Sequence, residues 1–397
     1  MFENILNQSE VISLLKEDIN TKKLPSSILF YGDEYTAKLT TALELARVLS
    51  CEKDGAWGCN CTSCKKHRLL DNTSTIMLGS RYFIEEIEAF ADVLRRNRQQ
   101  TSQYQFVRAV RKLTRRFDQQ IWEGQEKKLK GLDQYLEKIE IILDSFYPGT
   151  TLPNEKKLEK LLTDTVKTCR KIDEFLNSDN IPIDQIRNIT YWAHTTFTGS
   201  AKVIIIEGAD RMGEASKNAL LKIIEEPPPF VYFILITTRK NKIIPTILSR
   251  VRPYNFKSRN EEEEEYILNR IFKEESKEYK NLRDYFISMK GVNLSILRHY
   301  AHKLIEILIS KNNIFIEDFD EILELINENH IFKLFLEEII FVLHEKIISD
   351  YNTNEISLSV IQKWNVLIRT SLSNRLIYNM NTRLIFETLL YQMREAF

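Results

Sequence analysis

Two short stretches of this sequence contain residues whose types and spacing could do chemistry. The first runs from Gly32 to Leu39 as Gly-Asp-Glu-Tyr-Thr-Ala-Lys-Leu. A phosphate-binding loop has the pattern Gly-x-x-x-x-Gly-Lys-Ser/Thr, because its backbone N–H groups wrap the phosphate, its lysine reaches the outer phosphates and its hydroxyl holds Mg²⁺. The stretch keeps Gly32 and Lys38, but Ala37 replaces the second glycine and Leu39 removes the hydroxyl.

These replacements argue against nucleotide hydrolysis. Asp33 and Glu34 would repel phosphate, and Thr40 lies one residue too late, which on a helix rotates it about 100° from the metal-holding position. We therefore predict a loop that is retained as a scaffold and does not hydrolyse ATP. Two interpretations of Lys38 stay open, namely residual nucleotide binding and an exposed lysine at the start of a helix.

The second stretch contains four of the five cysteines of the chain, Cys51, Cys59, Cys61 and Cys64. Such crowding favours metal binding over a disulfide framework. Four thiolates can close a tetrahedral zinc site, and a closed site is structural because no coordination position is left for substrate. His67 could replace one thiol, and a loop of free thiols is the alternative.

Strands and helices must position these residues. Apolar runs predict strands at 28–31, 203–206 and 231–236, which end in Gly32, Glu207 and Thr237. A helix is predicted after Gly213, and three prolines at 227–229 stop it. Another begins at Pro245 and is followed by Ser249 and Arg250.

Several motifs occur here in a fixed order, namely Ala-Asp-Arg-Met at 209–212, Asn-Ala-Leu-Leu-Lys at 218–222, Glu-Glu-Pro-Pro at 225–228 and Pro-Thr-Ile-Leu-Ser-Arg at 245–250. They resemble the AAA+ clamp-loader subunits of bacterial DNA polymerase III, a family that includes the delta-prime subunit and the ATP-hydrolysing gamma/tau subunits. The resemblance implies an α/β AAA+ module of the P-loop type at 1–254, with a Cys-rich zinc module at 51–67. It further implies a helical lid at 255–312 and an all-α collar domain for oligomerisation at 313–397.

The resemblance also assigns roles to residues. Gly32, Lys38, Thr40, Glu207 and Thr237 would form a degenerate nucleotide site, because hydrolysing relatives end the strand at 207 in Asp-Glu, whereas this chain has Glu-Gly.

Arg250, together with Ser249, would be an arginine finger that acts in trans on ATP held by a neighbouring subunit. A salt bridge to Glu225 or Glu226 is the alternative. The family spacing of the zinc module is Cys-x2-Cys-x2-Cys, from which the Cys59-x-Cys61 pair departs.

Between about 82 and 178 the resemblance lapses, and apolar residues at helical spacing predict a large insertion of four helices in the α/β module, with a turn at Pro148-Gly149 and Pro153. Basic clusters lie at 95–98, 108–116 and 127–128. A solvated helix face is the favoured explanation, and contact with DNA is the alternative.

Composition limits the remaining possibilities. The chain of 397 residues is 43% hydrophobic and has 56 basic and 56 acidic residues, so no global field draws it onto nucleic acid. Its first residues lack a signal-peptide pattern and no apolar run reaches membrane length, which predicts a cytoplasmic protein without membrane contact.

The resemblance implies a non-hydrolysing subunit that helps to open the sliding clamp and load it on primed DNA. The expected partners are gamma/tau-type and delta-type subunits in a hetero-pentameric ring, the clamp, and primer-template DNA. A gamma/tau-like ATPase and a nucleic-acid-binding scaffold built on the inserted helices are the alternatives.

Overall fold

The structure is a computed structural model, which describes residues 1–176, 180–197, 199–275, 279, 281–289, 291–310, 316–327, 329–349, 357–378 and 380–397. The chain divides into a first unit, Met1–Phe286, and a second unit, Ile287–Phe397. This division falls inside the predicted lid at 255–312, so the predicted three-part organisation stays a prediction. The predicted boundaries at 178 and at 312/313 lie outside the described residues.

The first unit is built on a parallel sheet, whose described strands are β1 (Ser27–Gly32), β2 (Thr75–Leu78), β3 (Lys202–Glu207), β4 (Val231–Thr237) and β5 (Arg252–Phe256). Their order is β2-β3-β4-β1-β5, and every neighbouring pair is parallel. The apolar runs correctly predicted β1, β3 and β4. The two edge strands were missed, because β2 has only four residues and β5 contains Pro253, a residue that sheets tolerate at an edge.

Both faces of the sheet are buried, which explains the uninterrupted apolar runs of its central strands. On one face, alternate strand residues such as Phe30, Ile205 and Ile234 pack in one cluster with helices α1 (Ser9–Asn20) and α2 (Lys38–Leu49). The residues between them along the strands, such as Leu29, Ile204 and Leu235, are fully buried too.

The remaining helices of the first unit are α3 (Thr62–Arg68), α4 (Phe83–Arg96), α5 (Gln100–Thr114), α6 (Gln119–Trp122), α7 (Asp133–Asp144), α8 (Glu155–Asp173), α9 (Ile183–His194), α10 (Glu214–Glu225), α11 (Pro245–Leu248) and α12 (Glu261–Ile267), and α13 (Leu282–Ser288) crosses the division. The helices predicted between 82 and 178 are present as α4, α5, α7 and α8, and the predicted turn lies between the last two. A mixed α/β fold is therefore confirmed.

The second unit is helical over its described residues, with α14 (Leu294–Ser310), α15 (Asp320–Leu325), α16 (Asn329–Ser349), α17 (Leu358–Leu376) and α18 (Thr382–Ala396). Its core includes Leu304, Phe335, Trp364 and Phe386, all fully buried. The Trp364 indole N–H donates to the carbonyl oxygen of Met393 at 2.7 Å, so this buried donor is satisfied. None of the described helices combines the length and apolarity that crossing a bilayer requires.

Gly32 ends β1 at a point where another backbone passes very close. Its φ is +139°, and a Cβ on it would lie 2.1 Å from the carbonyl oxygen of Phe256. Gly124 also has a positive φ, +76°, but a Cβ there would meet no atom within 4 Å. We expect Gly124→Ala to cost about 1–2 kcal/mol of unfolding free energy through backbone strain alone.

Gly32→Ala should cost about 1–3 kcal/mol more than Gly124→Ala, because the added methyl group also forces β1 and β5 apart. Urea unfolding of both full-length variants measures the difference. Equal losses would show that the close approach to Phe256 does not constrain the edge of the sheet.

Candidate functional site

Three residues of the predicted nucleotide site lie side by side at the carboxyl ends of the sheet strands. Gly32, Glu207 and Thr237 end β1, β3 and β4, and these strands are parallel neighbours in the order β3-β4-β1. In open parallel sheets, ligands bind at the carboxyl ends of the strands, so this is the edge where a phosphate loop would work.

The loop from Gly32 to Lys38 keeps an unusual backbone although its glycine is replaced. Tyr35 and Ala37 have φ values of 58° and 67°, in the left-handed region that favours glycine. Ala37 is the residue immediately before α2. The loop therefore has positive-φ turns at positions where this sequence has no glycine.

Lys38 is turned back onto its own loop. Its ammonium nitrogen donates to the Gly32 carbonyl oxygen at 2.8 Å, to the Thr36 hydroxyl at 3.0 Å and to the Asp33 carbonyl oxygen. Only 7% of Lys38 is exposed, and burial lowers its pKa to about 8. Since an ammonium group has three N–H donors, all three are used within the loop. The alternative that Lys38 is an exposed lysine at the start of a helix is therefore wrong.

Aromatic side chains cover the same loop. The Tyr35 ring stacks on Phe286 at 5.1 Å and lies 4.9 Å from Tyr82, measured between ring centroids. The Arg259 guanidinium donates to the Tyr35 carbonyl oxygen, and the Ser258 hydroxyl donates to the Asp33 carboxylate. Burial raises the pKa of the Tyr35 phenol, so it stays neutral. The loop is therefore packed rather than open.

Glu207 lies in a buried cluster of charges at the end of β3. Arg116, which is 2% exposed and follows α5, forms an ion pair with its carboxylate, and Arg81 approaches it at 3.5 Å. Arg81 also lies 3.4 Å from Glu86, which pairs with Lys112. Burial lowers the pKa of Lys112 to about 8. These contacts supply the Glu207 carboxylate with counter-charges from within the chain.

The other predicted members of the nucleotide site have different surroundings. Thr40 is half-buried on the first turn of α2, while Leu39, which replaces the metal-holding hydroxyl, packs in the core. The Thr237 hydroxyl donates to Asp210 at 2.6 Å, and Asp210 pairs with Arg239 at 2.8 Å. Thr237 therefore stabilises the loop that follows β3.

The four predicted cysteines form a compact cluster. The sulfur atoms of Cys51, Cys59, Cys61 and Cys64 all lie within 4.8 Å of one another. The Cys51 sulfur lies 3.6 Å from that of Cys59 and 4.0 Å from that of Cys61. A tetrahedral site with Zn–S bonds of about 2.3 Å requires sulfur atoms about 3.8 Å apart, so the cluster fits zinc and the one-residue gap between Cys59 and Cys61 is accommodated.

His67 does not join the cysteine cluster. Its Nε2 lies 3.2 Å from the Ser74 hydroxyl, and burial lowers the pKa of its ring to about 3. The interpretation of His67 as a fourth ligand in place of a thiol is therefore not needed, because four sulfur atoms are already in place.

Arg250 lies near the opposite, amino-terminal ends of the strands. It follows α11 and precedes β5, and residue 252 is aligned with Ile28 near the start of β1. Its Nε donates to the Glu225 carboxylate at 3.0 Å, and its Nη1 contacts the Thr246 carbonyl oxygen at 3.0 Å and the Ser249 hydroxyl at 3.3 Å. About 31% of the side chain is exposed, so the salt bridge predicted as an alternative is present at the surface.

The basic residues between 108 and 116 do not form a solvated face. Arg108 donates to the carbonyl oxygens of residues 67 and 68, Arg111 to that of Leu69, and Arg115 to those of residues 72 and 75. This set of contacts, which we call the arginine staple, fixes the backbone between the cysteine cluster and β2. For this cluster the prediction of a solvated helix face was wrong. The same contacts leave few of its guanidinium N–H groups to bind DNA.

Sequence reasoning missed Arg81 and Arg116 as members of the site. Arg116 belongs to a basic cluster whose neighbours along α5 serve the staple, and nothing in the local pattern marks it as the one that becomes buried. Its partner is decided by the packing of the turn at 115–117, which follows α5, against β2.

The model of the protein family described as DNA polymerase III, delta subunit, matches residues 7–129 and 150–260, which is more than half of the chain. The chain belongs to this family. The match extends through most of the segment that we predicted as an insertion, and leaves 130–149 unmatched within it.

Individual relatives match shorter stretches. The DNA polymerase III subunit delta' of Haemophilus influenzae is 39% identical over 89 residues, which is 22% of this chain and 27% of that protein. Subunit gamma of Buchnera aphidicola subsp. Schizaphis graminum is 32% identical over 180 residues, or 42% of this chain and 48% of that protein. The chain thus spans about a quarter to a half of the length of these relatives.

A gamma subunit-related protein of Thermotoga maritima has a similar solved structure, at 21% identity, covering 55% of this chain and 81% of that chain with a TM-score of 0.31. A TM-score this low carries no argument about function.

We expect Arg116→Met to lower the free energy of unfolding by about 3–5 kcal/mol, because it leaves the buried Glu207 carboxylate without its closest counter-charge. Arg95→Met is the matched control, since Arg95 pairs with Glu159 at the surface and should cost less than about 1 kcal/mol. The double variant Arg116→Met/Glu207→Leu should recover part of the loss. Urea unfolding measures all three, and a loss in Arg116→Met no larger than in the control would contradict the assignment.

Proposed function

We propose that this chain is a delta-prime-like subunit of the DNA polymerase III clamp loader, built on an AAA+ module that does not hydrolyse ATP. It would assemble with gamma/tau-type and delta-type subunits in a hetero-pentameric ring, and help to open the sliding clamp and load it on primer-template DNA. The observation that carries the proposal is that Lys38 and Glu207, the two groups a working site would direct at phosphate and metal, are both engaged by the chain's own atoms.

These contacts support the proposed loss of ATP hydrolysis. A phosphate would have to displace three hydrogen bonds of the buried Lys38 ammonium, and a metal would have to compete with the Arg116 guanidinium for Glu207. Gly208, which follows Glu207, has no carboxylate to orient water. Each of these features opposes catalysis independently of the others.

We propose that Arg250 acts in trans as an arginine finger, with Ser249 beside it. β1 has six residues, so the amino-terminal end of the strand, near Arg250, and the carboxyl end, where the Lys38 loop begins, are about 16 Å apart. Arg250 therefore does not serve its own loop. A surface guanidinium held by Glu225 and the Thr246 carbonyl oxygen is oriented in advance for a phosphate on a neighbouring subunit.

The cysteine cluster would hold a structural zinc ion. Four thiolates at tetrahedral spacing leave no open position, so the ion would support the fold of residues 51–68 and would take no part in catalysis.

A gamma/tau-like ATPase is the second candidate. It is favoured by the 180-residue match to a gamma subunit and by the positive φ values that shape the loop like a phosphate loop. The nucleic-acid scaffold has less support, because the arginine staple uses the side chains on which that alternative depended.

Nucleotide turnover separates the first two candidates. We expect the purified chain to show no ATP hydrolysis above a buffer blank, and Lys38→Ala to leave this result unchanged, because the lysine is committed to its own loop. Turnover of radiolabelled ATP with Mg²⁺ is the measurement, with a gamma/tau subunit as the positive control. Hydrolysis that disappears in Lys38→Ala would establish the ATPase interpretation instead.

The finger role is tested in a reconstituted ring of this chain with gamma/tau-type and delta-type subunits. Arg250→Ala should lower turnover at the adjoining ATP site by about 10³-fold or more. The total ATPase rate of the ring should fall by the fraction of that rate which this site contributes. Glu225→Gln removes the carboxylate that pairs with Arg250 but keeps the Arg250 guanidinium, so ATP turnover at the adjoining site should persist. Arg187→Ala, an exposed arginine on α9, is the matched control.

The two outcomes are distinguishable. If Arg250 forms only a structural ion pair, Arg250→Ala and Glu225→Gln will have the same small effect on ATPase rate. Such equality, in rings shown by size-exclusion chromatography to be intact, would remove the finger role.

A further inference from the structure

We infer that Arg47 is a positioning residue of the cysteine metal site, which supports its thiolates by a direct hydrogen bond; this inference rests on the proposed zinc site. The Arg47 Nη1 donates to the Cys64 sulfur at 3.0 Å. Arg47 is 1% exposed and Cys64 is fully buried, so the contact is sealed from water.

The guanidinium is held in one orientation by its other contacts. Nε and Nη2 donate to the two oxygens of the Glu44 carboxylate at 2.9 and 2.6 Å. Nη2 also donates to the Gly55 carbonyl oxygen at 2.8 Å, and Nη1 to that of Ala56 at 3.2 Å. With the bond to Cys64, all five N–H donors of the side chain are used. A lysine could not reproduce this arrangement.

The sulfur atom of Cys64 differs from two others of the cluster in the kind of donor that it accepts from. Cys51 accepts backbone N–H bonds from residues 53 and 55, both at 3.3 Å, and Cys61 accepts one from residue 64 at 3.4 Å. For Cys64 the described donor is Arg47.

The charge of the metal site explains why the hydrogen bond from Arg47 to Cys64 stabilises it. Four thiolates and one Zn²⁺ carry a net charge of −2, which is costly in a buried setting unless hydrogen bonds disperse it onto neighbouring groups. Outer contacts of this kind also orient the ligands, and their removal commonly lowers metal affinity by about 10–100-fold.

Arg47 connects the metal site to α2 and to the amino-terminal segment. It lies on α2, the helix that begins at Lys38, and its partner Glu44 accepts the backbone N–H of Phe2 at 3.2 Å. The cysteine module is thereby joined through one guanidinium to the core helix and to the amino-terminal segment.

The test uses the full-length chain, in which Co²⁺ replaces Zn²⁺ as a spectroscopic probe and a chromogenic chelator competes for Zn²⁺. We expect Arg47→Gln to weaken zinc binding by about 10–100-fold. The sulfur-to-cobalt charge-transfer band should move to lower energy, because loss of the N–H bond raises the energy of the sulfur electrons. Arg47→Lys should show a smaller change in the same direction.

Arg108→Gln is the matched control, since Arg108 binds the backbone of residues 67 and 68 next to the module without touching sulfur. Its zinc affinity should stay within about threefold of the unaltered chain, a margin well inside the expected loss, and its cobalt band should not move. If Arg47→Gln fails to fold by circular dichroism, Arg47→Lys, which keeps a positive charge beside Glu44 but loses the five-donor arrangement, takes its place and should give a band shift in the same direction.

The outcomes separate the two proposals. If the unaltered chain binds neither Zn²⁺ nor Co²⁺, the zinc proposal falls, and the role of Arg47 with it. If the unaltered chain binds both ions, while Arg47→Gln or, in its place, Arg47→Lys keeps the same affinity and the same band, only the role of Arg47 is overturned.

Discussion

The ion pair between Arg116 and Glu207 is the interaction on which the rest of the site depends. Burial of a carboxylate at the end of a central strand costs free energy unless a cation lies nearby, and removal of either partner would leave an uncompensated charge in a low-dielectric environment. Arg81 and the Glu86–Lys112 pair extend the cluster, so β3, α4 and α5 are joined by charges rather than by apolar contacts alone.

In the loop after β1, a buried charge is likewise stabilised by groups of the same chain. The Lys38 ammonium loses its hydration on burial, and three oxygens of its own loop replace the water. Tyr35 and Ala37 adopt left-handed conformations that cost about 1–2 kcal/mol each for residues with a Cβ. Stacking of Tyr35 on Phe286 offsets part of this cost. These contacts within the chain stabilise the conformation of the loop.

Much of this architecture is accessible from the sequence, for identifiable physical reasons. The apolar runs at 203–206 and 231–236 predict central strands because parallel strands are buried on both faces, and the crowding of four cysteines predicts a cluster because short spacings hold their sulfur atoms together. The edge strand β5 escapes prediction because Pro253 weakens its pattern.

Side-chain partners across long sequence separations were not accessible. Arg108 and Arg116 have the same residue type and lie eight residues apart, yet Arg116 pairs with a carboxylate 91 residues away and Arg108 binds backbone oxygens. Arg47 likewise looks like an ordinary polar position of α2 until its helix packs on the cysteine module. Tertiary packing decides these partners, and local periodicity does not encode it.

The arginine staple has a consequence for sequence variation. Its three arginines recognise main-chain carbonyl oxygens, which every amino acid offers alike. These three contacts therefore depend on the position of the connector backbone between the cysteine cluster and β2, and not on the side chains that the connector carries. A substitution in the connector that keeps its backbone in place should thus leave the arginine staple intact.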